Sequence, residues 1–347
     1  MSPAEDPPTP AVAKPVPGLS SAGASATTST ETSPSVTSDS LPPHPVPEPV
    51  GPGTAALAML TSALWGGTPT AIRFATDSLP PVMVAAIRFG LAALFMLFWI
   101  RWEGVGLRIR RSQWQPILGA SLLLFVQIVT FNWGVAGSNS SHGSLFINTF
   151  LFWVGPIEHF VTKTDRLTSR KTLGLLIAGL ASLGVLASDA RPAAAPPRDE
   201  VTLAGDLILL LSGLLLGIKI VYTKWAVRRV EPGKLIFWHD VFGTALFLAY
   251  SGLFETTRGR ELTTPAVWGL LYQGILVGGF CFAIQAVQLK HHSASQIAVF
   301  SASTPLFGIV FGWLLRGDPL SWWLLAATIG VGWGILLVTR SDSETTG

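Results

Sequence analysis

The stretch that decides the fold is Ala55–Ala75, AALAMLTSALWGGTPTAIRFA, which carries a single charged residue near its end. At about 1.5 Å per residue in a helix, it is long enough to cross a bilayer core of about 30 Å. Its middle holds Gly66, Gly67 and Pro69, and Pro69 has no N–H to donate to the carbonyl of Trp65. Within lipid such an interruption persists only where protein or a wet cavity satisfies the freed group. The stretch therefore predicts a spanning helix that is broken beside an internal cavity.

The composition of the whole chain agrees with a membrane protein. The 347 residues have a mean hydropathy of +0.49, and 12% of them are charged, about half the fraction of a soluble domain. The lone Cys281 excludes an intramolecular disulfide. We expect a polytopic membrane protein whose partners are the lipid bilayer and a small solute, without nucleic acid, metal or cofactor.

The first 52 residues differ in kind from the rest. They are rich in Pro, Ser and Thr and contain no aromatic residue, so they cannot bury enough apolar surface to offset their ordering entropy. We expect residues 1–52 to form a disordered cytoplasmic tail without a signal peptide. The Pro-rich patch Pro42–Pro47 leaves open whether the tail binds an SH3-like partner or is a plain tether.

Ten apolar spans follow the tail, and they divide into two sets of five. The predicted spans are 54–76, 82–101, 114–135, 142–162, 171–189, 203–225, 234–254, 265–287, 294–315 and 321–340. The first five form a repeat over residues 54–189, and the last five form a second repeat over residues 203–340. We expect residues 190–202 to be the linker between the repeats and residues 341–347 to be a cytoplasmic tail.

Matches between the two halves indicate an internal duplication. At an offset of 151 residues, Gly66 matches Gly217, and Arg88 falls on His239. The prolines Pro81 and Pro232 match at the same offset, as do Arg73 with Lys224 and Ala75 with Ala226. Further along, Pro156 matches Pro305 at an offset of 149. The order and spacing of these matches predict two copies of one unit.

The loop charges predict the orientation in the membrane. Of the 23 Lys and Arg residues, 15 fall on one side of the spans and 6 on the other, with Arg88 and Lys219 inside spans. The richer side faces the cytoplasm by the positive-inside rule, so both termini are expected there. Because each repeat has an odd number of spans, the second repeat must be inverted relative to the first. Inverted repeats are typical of secondary transporters, whose site lies near the midplane.

The motifs at both ends of this region carry a family resemblance. Leu64-Trp65-Gly66-Gly67-Thr68-Pro69 resembles the opening of an EamA domain, and Thr304-Pro305-Leu306-Phe307 is similar to its proline-containing span. The resemblance, to EamA-type members of the drug/metabolite transporter superfamily, covers residues 54–340. It implies a ten-helix, two-repeat transporter of small metabolites, without naming the substrate. Two departures are the charged Glu158-His159 after Pro156 and the absence of a Trp-Gly pair in the second copy.

Helix breaks supply the first candidates for the transport site. Interruptions at paired positions of two repeats point to a binding site, whereas Gly and Pro in membrane helices also serve simple packing. Trp65, beside the first break, either stacks on a solute or fills the bundle, and Thr68 lies in the same turn. The predicted breaks are Gly66, Gly67, Pro69, Pro156 and Pro305.

Charged residues inside spans supply the second set. They are costly in lipid and are expected to face the interior or a cavity. Arg88 is expected near the outer side and His239 near the cytoplasmic side of one path, with Asp240 as a proton carrier. The alternative for both is an interfacial position, Arg88 by snorkelling and His239 by hydrogen bonding. For Lys219, deeper in its span, the interior is favoured.

Span four carries further polar candidates for the transport site. Asn148 and His159 lie on one face of this helix, and Glu158 is a second candidate proton carrier. The alternative is a solvated mouth at the helix end. Asn132 on span three is a lesser candidate.

The sequence contains no phosphate-binding loop, so transport driven by exchange or an ion gradient is expected. The predicted function is a secondary transporter that moves a small amino acid-like or other polar or amphipathic solute across the cytoplasmic membrane by alternating access, with a homodimer possible. The alternatives are a membrane-embedded enzyme and a non-transporting membrane protein.

Overall fold

The computed structural model describes most of the two predicted repeats. The described residues are 51–162, 201–256, 261–291, 303–320 and 322–330, with scattered positions at 169–181, 300–301 and 332–333. Regular structure in this part of the chain is helical, and helical residues fall within all ten predicted spans. The predicted tails and the linker up to residue 200 lie outside the described residues, apart from residues 51 and 52.

The described stretch 51–162 of the first repeat contains six α-helices. They are α1 (Pro52–Gly66), α2 (Thr68–Thr76), α3 (Pro81–Glu103), α4 (Trp114–Ala136), α5 (Ser140–Ile147) and α6 (Phe150–Pro156), which continues as the wider π-helical segment Ile157–Thr162. Prolines begin α1 and α3 because the first turn of a helix has no intrahelical use for their missing N–H. The side chain of Asn139 accepts a hydrogen bond from the N–H of His142 and so caps α5.

The second repeat has the corresponding helices. They are α7 (Leu203–Ala226), α8 (Pro232–Phe254), α9 (Thr264–Leu271), the π-helical segment Tyr272–Cys281, α10 (Phe282–His291) and α11 (Thr304–Arg316). Within the described residues, five stretches are long and apolar enough to cross a membrane: Pro81–Glu103, Arg111–Ala136, Ser140–Val161, Leu203–Ala226 and Thr264–Gln285.

The central pair α3 and α8 shows that the repeats are inverted. The Glu255 carboxylate, just after α8, accepts hydrogen bonds at 2.9 Å from the N–H groups of Val82 and Met83 at the start of α3. At the other end of the pair, Glu103 of α3 lies so near the start of α8 that a Cβ on Gly233 would be 2.7 Å from Glu103 Oε2. Each helix therefore begins beside the other's end. Carboxylates suit these positions because the first N–H groups of a helix have no intrahelical partner.

Other helix contacts between the two repeats come in equivalent pairs, one made by each repeat. Helix α4 packs on α7, as α9 packs on α2, and α6 packs on α7, as α11 packs on α1. Helix α3 packs on the π-helical segment Tyr272–Cys281, as α8 packs on α4. The molecule is an all-α membrane protein built from two inverted repeats.

Spans four and nine are interrupted at equivalent places. The hydroxyl of Thr149, just before α6, donates to the carbonyl of Phe146 at 2.6 Å. The hydroxyl of Ser303, just before α11, donates to the carbonyl of Phe300 at 2.6 Å. Such hydroxyl-to-backbone bonds compete with the regular helical pattern. Thr149 and Ser303 are 154 positions apart, and so are Phe146 and Phe300. The structure therefore aligns the two repeats at an offset of 154 residues in this region.

This register corrects the sequence match between Pro156 and Pro305. Pro156 is the last residue of α6, whereas Pro305 lies in the first turn of α11, where its missing N–H costs little. Pro69 likewise lies in the first turn of α2. The first and ninth spans are interrupted at Gly67 and Ser303, just before Pro69 and Pro305, and span four is interrupted at Thr149 and changes from α-helix to π-helix directly after Pro156.

Close helix crossings depend on glycine at Gly308, where α11 packs on α5. A Cβ on Gly308 would overlap the Ser144 side chain, with its hydroxyl oxygen only 1.7 Å away. Overpacking of this kind costs about 1–3 kcal/mol, so we expect Gly308→Ala to lower the melting temperature by several degrees. Gly252→Ala is the control, because among the described residues nothing lies within 4 Å of a Cβ there. Equal melting temperatures in the two variants, measured in detergent, would contradict this account.

Candidate substrate site

The break in the first span lies beside a tyrosine of the second repeat. The hydroxyl of Tyr272 donates to the carbonyl of Leu64, and a Cβ on Gly67 would lie 2.5 Å from that hydroxyl oxygen. The carbonyl of Trp65 accepts from the N–H of Gly67. Protein groups therefore satisfy the carbonyls at the break, which an interruption inside a bilayer requires.

Four charged or titratable side chains come together in the interior of the bundle. Arg88 of α3, Lys219 of α7, and His239 and Asp240 of α8 are 3%, 5%, 2% and 0% exposed. We call these four residues the central cluster. Asp240 lies within electrostatic range of both Arg88 and Lys219. Ionisable groups inside a membrane bundle are costly and mark candidate functional sites.

The ring of Phe89 brings two members of the cluster together. The guanidinium carbon of Arg88 lies 4.9 Å from the centroid of Phe89. The His239 ring meets the same ring edge-on, with centroids 6.4 Å apart. Arg88 and His239 were expected near opposite ends of a path, yet both contact Phe89 in the interior. Both side chains are buried in the bundle.

A second aromatic ring, Phe282, connects the cluster to the break in the first span. Its centroid lies 5.2 Å from Lys219 Nζ and 6.5 Å from the centroid of His239. Trp65 packs edge-on against Phe282 at 6.1 Å. Five of the predicted site residues thus belong to one assembly: Trp65, Arg88, Lys219, His239 and Asp240.

Several polar atoms of this assembly lack a hydrogen-bond partner among the described residues. They are Nε and Nη1 of Arg88, Nε2 of His239, Oδ2 of Asp240, and the side-chain amide of the fully buried Gln273. Asp240 Oδ1 lies 2.8 Å from His239 Nδ1, so these two neighbours on one helix contact each other. Buried polar groups are normally paired, and each unpaired group costs about 1–3 kcal/mol. The cluster is therefore suited to form hydrogen bonds with a polar molecule, with Arg88 as the donor.

Two predicted asparagines stabilise helix ends instead. Asn132 Nδ2 donates to the carbonyl of Pro81 at 2.8 Å, at the start of α3. Asn148 Nδ2 donates to the carbonyl of Ser144 at 2.7 Å, beside the interruption before α6. Both amides thus satisfy backbone carbonyls, and neither contacts the central cluster through these bonds.

The other predicted residues lie at the break of the first span and at the end of span four. Thr68 is buried in the first turn of α2, and its hydroxyl has no partner within the described ranges. His159 lies in the π-helical end of span four, with its ring centroid 4.6 Å from that of Phe160. The side chain of Glu158 lies outside the described residues.

Sequence reasoning missed Tyr272, Gln273 and Phe282. They lie where the eighth span widens into a π-helical segment, which no charge or Gly-Pro break marks in the sequence. The available signal was Gln273, because an amide inside an apolar span needs a partner or a functional reason.

A second buried polar group, which we call the latch, lies at the other end of the bundle from His159. It consists of Ser138, Ser141, His142, Asp206 and Asp318. Asp206 accepts from the Ser138 hydroxyl at 2.6 Å, and its carboxylate lies 3.0 Å from His142 Nδ1. Asp318 accepts from the N–H and the hydroxyl of Ser141 at 2.9 and 3.0 Å. The latch joins the start of α5, in the first repeat, to two elements of the second.

Comparison with known proteins gives the family. The EamA-like transporter family matches residues 53–187 and 203–340. The uncharacterized transporter YoaV of Bacillus subtilis (strain 168) is 25% identical over 286 residues, which cover 81% of this chain and 94% of YoaV. Protein PagO of Salmonella typhimurium is 25% identical over 300 residues, covering 82% of this chain and 93% of PagO. One solved crystal structure shares the fold with a TM-score of 0.63 at 18% identity, covering 83% of this chain and 98% of that chain. Because two copies of the family pattern span most of its length, this multi-pass membrane protein belongs to the EamA-like transporter family.

Proposed function

We propose that the protein is a secondary transporter that moves a small solute carrying one carboxylate across the cytoplasmic membrane by alternating access. One observation carries the proposal. Arg88 and Lys219, both buried and from different repeats, meet at a site where Arg88 Nε and Nη1 have no partner within the described residues. A guanidinium offers a planar pair of donors that matches a carboxylate.

The charge of the central cluster favours a monoanion. In the protonation state with Arg88 and Lys219 charged, His239 neutral and Asp240 ionised, the four side chains of the central cluster carry a net charge of +1. Uncompensated charge is expensive in a low-dielectric interior. Binding of a single carboxylate makes the total charge of cluster and solute zero. A zwitterion leaves that charge positive, and a dianion makes it negative.

The latch supports the assignment of the conformational state. It joins the two repeats at one end of the bundle, so we assign the described arrangement to a state that is closed at that end. By the loop charges, this end faces outward and both termini face the cytoplasm. Inverted repeats provide two related conformations, one for each side of the membrane.

The proposal is tested with purified full-length protein. We expect monoanions such as gluconate to raise its melting temperature, because a ligand that binds only the folded state stabilises it. Matched concentrations of a neutral sugar, a dicarboxylate and an organic ammonium ion are expected to raise it less. Monoanions that stabilise the protein should then exchange across proteoliposomes in counterflow. The proposal would be overturned if the organic ammonium ion or the neutral sugar raised the melting temperature and no monoanion did.

A further inference from the structure

A cavity of about 230 Å³ lies between α2, α9 and α11, outside the central cluster. Its wall is mostly apolar and is formed by Gly67, Thr70, Ala71, Phe74, Trp268 and Leu315, among others. Trp268 and Leu315 are 65% and 58% exposed, so the cavity opens sideways, toward the position of the bilayer. We call it the lateral groove.

The lateral groove runs along the membrane-spanning direction. On α2 it extends from Phe74, toward the latch end, to Gly67 at the break of the first span. At about 1.5 Å per residue this distance is about 10 Å. The groove therefore leads from the periphery of the bundle to the depth at which the first span is interrupted.

Tyr272 links the lateral groove to the break of the first span. Its side chain lines the groove, and its hydroxyl is held by the Leu64 carbonyl beside Gly67. Trp65, the residue after Leu64, packs edge-on against Phe282, whose ring centroid lies 5.2 Å from Lys219 Nζ. Tyr272 thus lines the groove next to the aromatic residues that contact the central cluster.

The groove also holds an unused polar group. Thr70 is 2% exposed, lines the groove, and has a hydroxyl without a hydrogen-bond partner in the described part of the chain. A buried hydroxyl without a partner is costly and is rare in native proteins. Its place in the wall of the groove suits a polar head group that passes through the groove.

We propose that the lateral groove is the tail subsite of the transport site, and that the solute is an amphipathic monoanion with an apolar tail. The anionic head binds at Arg88 and Lys219, and the tail lies in the groove after Tyr272 moves aside. Charge complementarity favours this occupant, because two basic side chains, Arg88 and Lys219, and one carboxylate, Asp240, are buried in the central cluster. This inference rests on the proposed function and adds the class of solute.

The test compares ethanesulfonate with octanesulfonate, two monoanions that remain charged and differ by six methylene groups. Binding is measured by calorimetry on the full chain in lipid nanodiscs, with empty nanodiscs subtracted. The parent protein is expected to bind octanesulfonate at least tenfold more tightly than ethanesulfonate. Full burial of the added methylene groups would give a larger difference in affinity. Leu315→Trp fills the groove from an exposed position and is expected to remove this preference without changing ethanesulfonate binding.

Leu314→Trp is the matched control, since Leu314 is 60% exposed on the same helix and does not line the groove. It is expected to bind both probes as the parent does. Equal affinity of the parent for both probes, or the same tail preference in the two tryptophan variants, would overturn the tail subsite and leave the proposed function standing. If the parent binds neither sulfonate, or if Arg88→Gln binds both unchanged, the proposed function fails together with it.

Discussion

Replacing Arg88 with glutamine is expected to lower the affinity for a monoanion at least a hundredfold and to abolish counterflow, while the protein stays folded. A hydrogen bond to a charged group contributes about 1.5–3 kcal/mol, so the loss of two such bonds corresponds to a hundredfold change in Kd or more. Arg88 Nε and Nη1 have no hydrogen-bond partner in the described ranges. Glutamine therefore breaks no bond of these two atoms, and the loss falls on solute binding.

Arg88→Lys separates the role of charge from the role of geometry. Lysine keeps the positive charge but loses the planar fork, so we expect affinity about tenfold below the parent and above the glutamine variant. Calorimetry gives the affinities, and thermal unfolding with gel filtration verifies folding. A folded Arg88→Gln protein that binds monoanions like the parent would place the site elsewhere.

Much of the fold could be predicted because its signals are local. The apolar spans follow from composition and length, and Pro81 and Pro232 begin α3 and α8 as the offset of 151 residues implies. Inversion follows from an odd number of spans in each repeat, and the contacts of Glu255 with Val82 and Met83 confirm it. Loop charges predict an orientation, which stays a prediction.

The repeat register in spans four and nine could not be predicted, because the interrupting residues look ordinary in the sequence. Glycine and proline are recognised as helix breakers, which favoured Pro156 and Pro305. The interruptions coincide with hydroxyl-to-carbonyl bonds of Thr149 and Ser303. Thr61 and Thr130 make the same kind of bond inside regular helices, so the residue type alone does not mark an interruption.

The members of the central cluster could be named from the sequence, but their proximity in the fold could not be predicted from it. Arg88 lies seven residues after the first residue of α3, and His239 lies seven after the first residue of α8. In antiparallel helices these positions belong to opposite halves of the bilayer, which predicted opposite ends of a path. Long side chains and the intervening Phe89 close that distance, because Arg88 reaches the ring that His239 also contacts.

Replacing Asp206 with asparagine is expected to release the latch. We expect a membrane-impermeant methanethiosulfonate, added on the latch side, to modify Cys281 at least tenfold faster than in the parent. Asp206 is 1% exposed and binds Ser138 and His142, and breaking a buried pair costs about 3–5 kcal/mol. Because the latch joins the repeats in the closed state, the variant shifts the equilibrium toward opening, and about 1.4 kcal/mol of that shift already gives a tenfold change. Cys281, the only cysteine in the sequence, is fully buried and serves as the labelling site.

Asp77→Asn is the matched control at the same end of the bundle. Asp77 lies 2.6 Å from Arg316 but is half exposed, and ion pairs at exposed positions contribute only about 0–1 kcal/mol. We expect its labelling rate to stay within a factor of two of the parent's. Ser138→Ala removes one hydrogen bond to Asp206 and should label at an intermediate rate, which keeps the test decisive if Asp206→Asn fails to fold. If Asp206→Asn labels no faster than Asp77→Asn, the latch does not control the path. The pairs Asp206–His142 and Asp77–Arg316 both join the two repeats, but only Asp206 is buried. Faster labelling of Asp206→Asn than of Asp77→Asn would therefore attribute closure to the buried carboxylate.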